Sequence, residues 1–346
     1  MPKQPVPFGW KPAELADDHA RITSFHQRTP GEVRSDLTMP QIVQAVQADE
    51  GRIWVDVNSH YSNAWLALAE TLDLHPLTIE DTLSPESRVK IEEYDDYLFV
   101  VARDASFNKE TTDPYDFDTC NLYLYIGKHY LITVHQRPSR ATETLADRLR
   151  VGSELLDRGV DYLAYAVLDS IIDLYFPMLD QIDEFVDQLE TGIFERQASN
   201  EVLEQIFALK RTLLALRRHQ SPMREILATM ANRPSPYLSH NTQIYLRDVY
   251  DHVVRQVESI ETYRDLLSGA LEIYFSVVSN RMNEIIKALT VVGTFLLPAT
   301  WIASIYGMNF ERMPFLHHPL GFWVAIALMF GVSLLLMGYL KLKRWM

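Results

Sequence analysis

The sequence is short of cysteine and of positive charge. Its single cysteine, Cys120, excludes an intramolecular disulfide and leaves a cysteine-based zinc site without enough ligands. The 46 acidic residues outnumber the 32 lysines and arginines, which gives a formal net charge of −14. This imbalance argues against a nucleic-acid partner, whose phosphates would be repelled, and it suits a protein that handles cations.

Motifs of common enzyme classes and of secretion are also missing. The chain has no phosphate-binding glycine loop, no His-Glu-x-x-His sequence and no serine or cysteine nucleophile motif, so an enzyme is not predicted. Residues 1–10 are rich in proline and lack an apolar core, so no signal peptide is predicted. The long polar part of the chain is therefore expected to stay in the cytosol.

Two stretches near the carboxyl end lack charge altogether. Residues 288–306 and 320–340 are uncharged runs of 19 and 21 residues. A transmembrane helix needs about 20 apolar residues, so the chain is predicted to cross a bilayer twice. We place the first span at about 286–306, an outer loop at 307–319, the second span at about 320–340 and a basic tail at 341–346.

The charges beside these runs predict the orientation. Basic residues lie before the first run and after the second, namely Arg281, Lys287, Lys341, Lys343 and Arg344. The loop between the runs carries only Glu311 and Arg312 as fixed charges. By the positive-inside rule both termini face the cytoplasm, which predicts a multi-pass protein of the plasma (inner) membrane.

Residues 1–140 carry the patterns of an α/β domain with a mixed sheet. Apolar and β-branched runs predict strands at 53–57, 97–102, 121–126 and 130–134. Gly127 and Lys128, between the last two strands, predict a hairpin turn. Helical spacing of apolar residues predicts helices at 39–47 and 63–72.

Beyond residue 140 the patterns are helical. We predict a helix at 142–158, a helical pair at 161–230 with breaks near 191–192 and 198–200, and one long helix from Thr242 to Gly307. Residues 161–195 hold nine acidic and no basic residues, whereas residues 196–224 hold six basic and two acidic ones. This segregation fits either a solvated hairpin or an acidic surface that concentrates cations. The predicted domains are a cytoplasmic α/β domain (1–140), a cytoplasmic helical stalk (141–280) and a membrane domain (281–346).

One face of the first predicted span is small or polar. Residues of this face recur every three or four positions, at Asn283, Ile286, Thr290, Gly293, Leu297, Thr300 and Ser304. Such a stripe either packs against another helix or lines water. Pro298 lies within the span, where it frees a backbone carbonyl that a neighbouring helix or water must satisfy.

The sequence after this span resembles the signature of a known family. Gly307, Met308 and Asn309 follow the first span directly, and a short loop, a second span and a basic tail come next. This arrangement resembles that of the CorA-type magnesium and cobalt channels. The sequences HPLTIED at 75–81, YDDY at 94–97, DVYDH at 248–252 and SNRMNE at 279–284 resemble further motifs of that family.

The resemblance implies a homopentamer with one central pore. The first span of each subunit would line the pore, and the second would face lipid. Asn309 would form an amide ring at the outer mouth, where Mg²⁺ could keep the water that it releases reluctantly. Thr300 would add a hydroxyl ring, while Leu297, Leu289 and Ile286 would form apolar constrictions that close by dewetting. Gly293 would widen the pore or allow close approach, and Asn283 would mark the cytosolic exit.

The same resemblance implies regulation by the transported ion. Asp81 and Asp248 would bind regulatory Mg²⁺ near a subunit interface, with Glu80 close by. An ion held between neighbouring subunits would keep the ring closed, and loss of that ion at low cytosolic Mg²⁺ would free the gate. No organic cofactor is expected.

Two departures from the family pattern and two alternatives accompany this prediction. Phe315 stands where the family often has an acidic residue, which leaves Glu311 as the only acidic residue at the mouth, and Ser304 stands where glycine is common. The neighbouring His317 and His318 could bind Zn²⁺, Co²⁺ or Ni²⁺. The first alternative is a zinc-transporting, proton-coupled relative, which the uncharged stripe does not exclude. The second is a membrane-anchored sensor that binds a partner and conducts no ions.

Overall fold

The computed structural model describes residues 21–48, 51–58, 63–84, 87–108, 111, 115–152, 154–195, 199–308, 314 and 318–343. The strands are β1 (Arg21–Gln27), β2 (Val33–Ser35), β3 (Arg52–Asn58), β4 (Lys90–Glu93), β5 (Leu98–Phe107), β6 (Phe117–Ile126) and β7 (Tyr130–His135). The helices are α1 (Met39–Gln47), α2 (Asn63–Thr71), α3 (Pro76–Leu83), α4 (Arg140–Val151), α5 (Glu154–Arg158), α6 (Val160–Asp173), α7 (Tyr175–Glu195), α8 (Asn200–Asn232), α9 (His240–Tyr306) and α10 (Gly321–Leu342).

The strands form one mixed sheet in the order β2-β1-β3-β7-β6-β5-β4. Strands β3 and β7 pair in parallel at the centre, and the other neighbours are antiparallel. The predicted mixed sheet is therefore confirmed. So is the hairpin at Gly127, whose N–H donates to the carbonyl of Tyr130 at 2.8 Å.

Helices cover both faces of this sheet because its central strands are apolar on both faces. Alternate residues of β3, such as Val55 and Val57, belong to one core with Ile42 of α1 and Trp65 of α2. Helix α6 contacts β3, β5, β6 and β7, and α4 packs against α6. Since alternate residues of a strand point to opposite faces, Trp54 lies on the other face from Val55.

Two of the predicted helices are wrong in their extent. The predicted helix at 142–158 is two helices, because α4 ends at Val151 and Gly152 caps it in an extended conformation. The predicted helix from residue 161 divides between α6 and α7, because Pro177 has no N–H to donate to the carbonyl of Asp173. The predicted break at 191–192 is absent, since α7 continues to Glu195. The long helix from Thr242 to Gly307 is confirmed by α9.

The chain divides into two compact units by its internal contacts. The first contains the sheet and extends to Ser268, apart from Leu189–Leu203. The second contains Leu189–Leu203 and the chain from Gly269 onward. Each unit is described separately below, and the predicted domain limits at 140 and 280 stay predictions.

A buried polar network crosses the sheet face beneath α4. The indole Nε1 of Trp54 donates to Thr133 Oγ1 at 3.0 Å, and Thr133 Oγ1 donates to Asp56 Oδ1. His135 Nε2 lies 3.1 Å from Asp56 Oδ1, while His135 Nδ1 lies 2.6 Å from the carbonyl oxygen of Arg137. Both ring nitrogens face acceptors, so the geometry calls for a doubly protonated imidazolium beside the Asp56 carboxylate.

The surroundings set the pKa of His135 in the same direction. Burial alone would lower the pKa, but the hydrogen bond and the charge of Asp56 outweigh burial and raise the pKa above its ordinary value. A raised pKa in the folded state stabilises the fold fully below the ordinary value of about 6.5. That stabilisation is lost as the pH rises through the raised pKa.

We expect Asp56→Asn to destabilise the full-length protein by roughly 3 kcal/mol at acidic pH, because it leaves a buried imidazolium without its counter-charge. The loss should shrink as the pH rises above about 6.5. Thermal unfolding in detergent between about pH 5.5 and 8.5 measures it. Asp118→Asn is the matched control, since the Asp118–Arg137 ion pair is solvent-exposed. A loss that does not change with pH would contradict a charged His135.

Candidate pore helix and acidic cluster

The described residues include three stretches long and apolar enough to cross a membrane. They are Val160–Ile193, His240–Tyr306 and Gly321–Leu342. In the first, 56% of the most apolar window is buried inside the protein, compared with 6% and 11% in the other two. The first stretch contains α6, which packs on the sheet, so its apolar residues already have protein neighbours. The ends of α9 and α10 expose apolar side chains that only lipid or another protein surface would cover.

A seam of small residues joins α10 to the last turns of α9. Ala325 and Ser333 of α10 are buried, and Ile302 of α9 is only 7% exposed. Ser333 Oγ donates to the carbonyl oxygen of Phe295 at 2.9 Å. The ring of Phe295 meets that of Phe330 edge to face, with centroids 6.0 Å apart. Small residues and a hydrogen bond to the backbone are common means of packing helices in membranes.

The predicted stripe lies on the opposite face of α9 from this seam. Successive helical residues are separated by about 100°, so the stripe is centred roughly 180° from Phe295 and Ile302. Ile286, Gly293, Leu297, Thr300 and Ser304 lie within about 30° of that direction, Thr290 and the neighbouring Leu289 within about 50°, and Asn283 within about 70°. Leu289 and Leu297 are 71% and 70% exposed. The stripe therefore does not pack against α10 of its own chain, and it is free either to pack against another copy or to line water.

The hydroxyl groups along this part of α9 are held in a defined orientation. Thr290 Oγ1 donates to the carbonyl oxygen of Ile286 at 2.7 Å, and Thr300 Oγ1 donates to that of Leu296 at 2.9 Å. Each hydroxyl hydrogen is thus used within the helix, and the oxygen lone pairs remain available. Such oxygens can accept hydrogen bonds from the water ligands of a hydrated cation.

The end of α9 is described only in part. Its last turn closes with the N–H of Gly307 donating to the carbonyl of Ala303 at 2.9 Å, and Met308 donates to Ile305 at 3.2 Å. Several predicted residues of the mouth and tail lie outside the described residues, namely Asn309, Glu311, Phe315, His317 and Arg344. Lys341 and Lys343 are exposed at the end of α10. Asn283 is exposed on α9.

In the first unit, α3 presents two of the predicted metal ligands. His75 caps its amino end by accepting the N–H of Leu77, and Pro76 begins the helix. Glu80 is exposed. Asp81 Oδ2 lies 2.6 Å from Lys90 Nζ, so this carboxylate is paired with an ammonium group of its own chain.

Asp248 lies in an acidic cluster that joins α6 to α9. Its Oδ2 is 3.9 Å from Nε2 of His252, one helical turn away. His252, Asp169 and Asp173 place one ligand atom each within 4.8 Å of one another. Their two carboxylates and one imidazole are a donor set that divalent cations accept.

Electrostatics in this cluster favour a cation. Burial, followed by the negative charge of Asp173, raises the pKa of Asp169 to about 6, although His252 opposes the shift. A divalent cation would relieve the repulsion between these carboxylates. The structure thus gives Asp81 and Asp248 different partners within one chain.

The sequence reading missed Asp169, Asp173 and His252 as members of one site. The sequence does contain a pattern that could have indicated them. Asp169 and Asp173, and likewise Asp248 and His252, are four residues apart, a spacing that places both side chains on one face of a helix. The contact between α6 and α9 that joins the two pairs leaves no trace in the local sequence.

Comparison with known proteins agrees with these features. The family model described as CorA-like Mg²⁺ transporter protein matches residues 49–344. The cobalt/magnesium transport protein CorA of Thermotoga maritima is 32% identical over 295 residues, which cover 85% of this chain and 83% of that protein. Its counterpart in Methanocaldococcus jannaschii is 25% identical, over 89% of this chain and 96% of that one.

A solved structure shows the same fold. The complete structure of the CorA magnesium transporter from Methanocaldococcus jannaschii matches with a TM-score of 0.78 and 22% identity, covering 94% of this chain and 98% of that one. It supports an α/β domain followed by a long helix and an apolar helical end. The chain belongs to the CorA-like Mg²⁺ transporter family, whose members are transporters rather than enzymes.

Proposed function

We propose that this chain is one subunit of a homopentameric channel that lets Mg²⁺ enter the cytosol passively. The observation that carries the proposal is the uncharged, partly hydroxylated stripe of α9, which lies opposite the face that α10 covers. Five such stripes around one axis would enclose a polar path through the bilayer. Co²⁺ is a further candidate ion, since the relatives include cobalt/magnesium transport proteins. Ni²⁺ is a candidate because it lies next to Co²⁺ in the order of affinities of divalent metals.

The chemistry of the stripe suits an ion that keeps its water. A hydrated Mg²⁺ presents hydrogen-bond donors, and the oxygen of Thr300 and the amide of Asn309 can accept them without replacing water. Leu297, Leu289 and Ile286 would form apolar rings further along the path. Apolar rings close a pore by excluding water, so these positions are the proposed gate.

In this proposal only the end of α9 and α10 span the membrane. The Val160–Ile193 stretch stays in the cytosolic domain, where much of its apolar surface is already buried. The exposed Lys341 and Lys343 at the end of α10 favour a cytoplasmic carboxyl terminus in a plasma (inner) membrane. The proposed division into domains remains 1–140, 141–280 and 281–346.

Entry would then follow the membrane potential. Each doubly charged ion gains roughly 4 to 5 kcal/mol per 100 mV of potential that is negative inside. No coupled ion is needed for uptake under that driving force.

We propose that cytosolic Mg²⁺ closes the channel by binding acidic residues of the first unit. Asp81, Asp248 and Glu80 are the proposed regulatory ligands at an interface between subunits. The pairing of Asp248 with His252, next to Asp169 and Asp173, supports a cation site on this part of α9. Carboxylate oxygens are the protein ligands that Mg²⁺ prefers.

One observation favours a second candidate, a zinc-transporting and proton-coupled relative. The cluster at Asp248 contains the imidazole of His252, and imidazole suits Zn²⁺ better than Mg²⁺. Membership in a transporter family leaves the sensor alternative without support.

We expect purified protein in proteoliposomes to take up Mg²⁺ in proportion to the membrane potential and independently of a pH gradient. Asn309→Ala should abolish most of this flux, because it removes the amide ring that receives the hydrated ion. Fluorescent indicators for Mg²⁺ and Zn²⁺ measure entry. Zn²⁺ entry that requires a proton gradient would instead favour the second candidate. The absence of any flux through folded pentamers would refute conduction.

We expect the double variant Asp81→Ala and Asp248→Ala to conduct at internal Mg²⁺ concentrations that shut the parent channel, because the closing ion loses its ligands. Mg²⁺ flux or current against internal Mg²⁺ measures this. Asp118→Ala, which removes an exposed carboxylate of the same domain, is the control. Unchanged inhibition in the double variant would show that these residues do not regulate the channel.

A further inference from the structure

Lys90 forms an ion pair with Asp81, whose carboxylate is a ligand of Mg²⁺ in the proposed regulation. Its Nζ lies 2.6 Å from Asp81 Oδ2, and both side chains are little exposed, at 28% and 27%. A half-buried pair of this kind is screened less by salt than a fully exposed one. Any cation that binds Asp81 must therefore either displace this ammonium or bind beside it.

The ammonium group has a second partner on its own strand. Lys90 Nζ also lies 2.8 Å from Glu92 Oε1, and the ring centroid of Phe99 is 5.7 Å away. Glu92 is itself held by the hydroxyl of Tyr94, which donates to Glu92 Oε2 at 2.9 Å. Lys90 and Glu92 are alternate residues of β4, so their side chains lie on the same face of the strand, where Lys90 meets Asp81 of α3. A Lys90 side chain released by Asp81 would keep a negatively charged neighbour.

We propose that Lys90 is a tethered cation that competes with regulatory Mg²⁺ for Asp81. The inference rests on the proposed regulatory role of Asp81. In the ion-free state the ammonium neutralises Asp81, and in the ion-bound state it is held by Glu92. Lys90 therefore stabilises the ion-free state and raises the Mg²⁺ concentration that is needed to close the channel.

Lys90 lowers the electrostatic repulsion that Asp81 would cause in the ion-free state. Without Lys90, loss of Mg²⁺ would leave the Asp81 carboxylate uncompensated, and repulsion between acidic residues would be the main force that opens the ring. With Lys90 in place, Asp81 contributes little repulsion because its charge is paired. The Mg²⁺ concentration that half-closes the channel is then set by the exchange of the Lys90 ammonium group for Mg²⁺ at Asp81.

The test measures Mg²⁺ binding by two readouts on the full-length protein. One is the Mg²⁺ concentration at the midpoint of its thermal stabilisation in detergent, and the other is the midpoint of flux inhibition in proteoliposomes. We expect Lys90→Met to lower both midpoints about two- to fivefold, which is the range for a partly exposed ion pair. Lys90→Arg keeps the charge and should stay within about twofold of the parent.

Two controls make the comparison specific. Arg88→Met removes the same charge from an exposed position two residues away, and it should leave the midpoints within about twofold of the parent because exposed charges are screened. In an Asp81→Asn background, Lys90→Met should have no further effect, since the competing carboxylate is gone. Circular dichroism and the elution volume of each variant confirm folding and assembly.

The outcomes separate the two proposals. Lower midpoints in Lys90→Met, but not in Arg88→Met, support competition. Midpoints that stay unchanged or rise in Lys90→Met, while Asp81→Asn still shifts them, would refute competition and leave the regulatory role of Asp81 intact. Midpoints that do not respond to Asp81→Asn would refute the regulatory role itself.

Discussion

The membrane part of the structure is constrained by α9, a helix with one apolar face and one partly polar face that need different surroundings. Helix α10 covers only the face of α9 that carries Phe295 and Ile302, through the small residues Ala325 and Ser333. The opposite face carries hydroxyl oxygens and a glycine, which lipid would not solvate. In the proposed channel, copies of the chain would associate around a watery axis, where this face would meet water. The same arrangement would conduct ions.

The first unit carries acidic side chains that lie close to other charged groups. Asp81 pairs with the ammonium group of Lys90, and Asp173 and Asp248 lie close enough to Asp169 to repel its carboxylate, an effect that His252 opposes. Helix α9 carries residues of the acidic cluster near its start and the stripe near its end, so the proposed regulation would act along this one helix.

Sequence periodicity predicted the elements that have a continuous apolar or helical pattern. Strands β3 and β7 are apolar, and α9 has continuous helical spacing, so each was found close to its observed limits. For β5 and β6 only the apolar parts were found, and the more polar ends at 103–107 and 117–120 were missed. The edge strand β4 (Lys90–Glu93) was missed because three of its four residues are charged. Strand β1 was missed because it mixes polar and apolar residues, and α3 because it is only eight residues long.

The residues on one helix were predicted from the sequence, whereas the contacts between different elements were not. The pore stripe follows from the spacing of residues on one helix, and the family resemblance supplied its role. The pairing of Asp173 with His252 depends on a contact between helices far apart in the sequence. The pairing of Asp81 with Lys90 depends on how α3 packs beside the neighbouring strand β4. Such contacts are set by the packing of the whole domain, which local patterns do not encode.

The central claim is that the face of α9 opposite α10 lines the conducting path. Cysteines introduced singly at Leu297, Thr300 and Ile302 in a Cys120→Ser background test it most directly, with Cd²⁺ block of Mg²⁺ flux as the readout. A ring of thiolates in the path would bind this soft ion and block the flux. The account predicts block for Leu297→Cys and Thr300→Cys and none for Ile302→Cys. Block at position 302 alone, or equal insensitivity at all three positions, would contradict it.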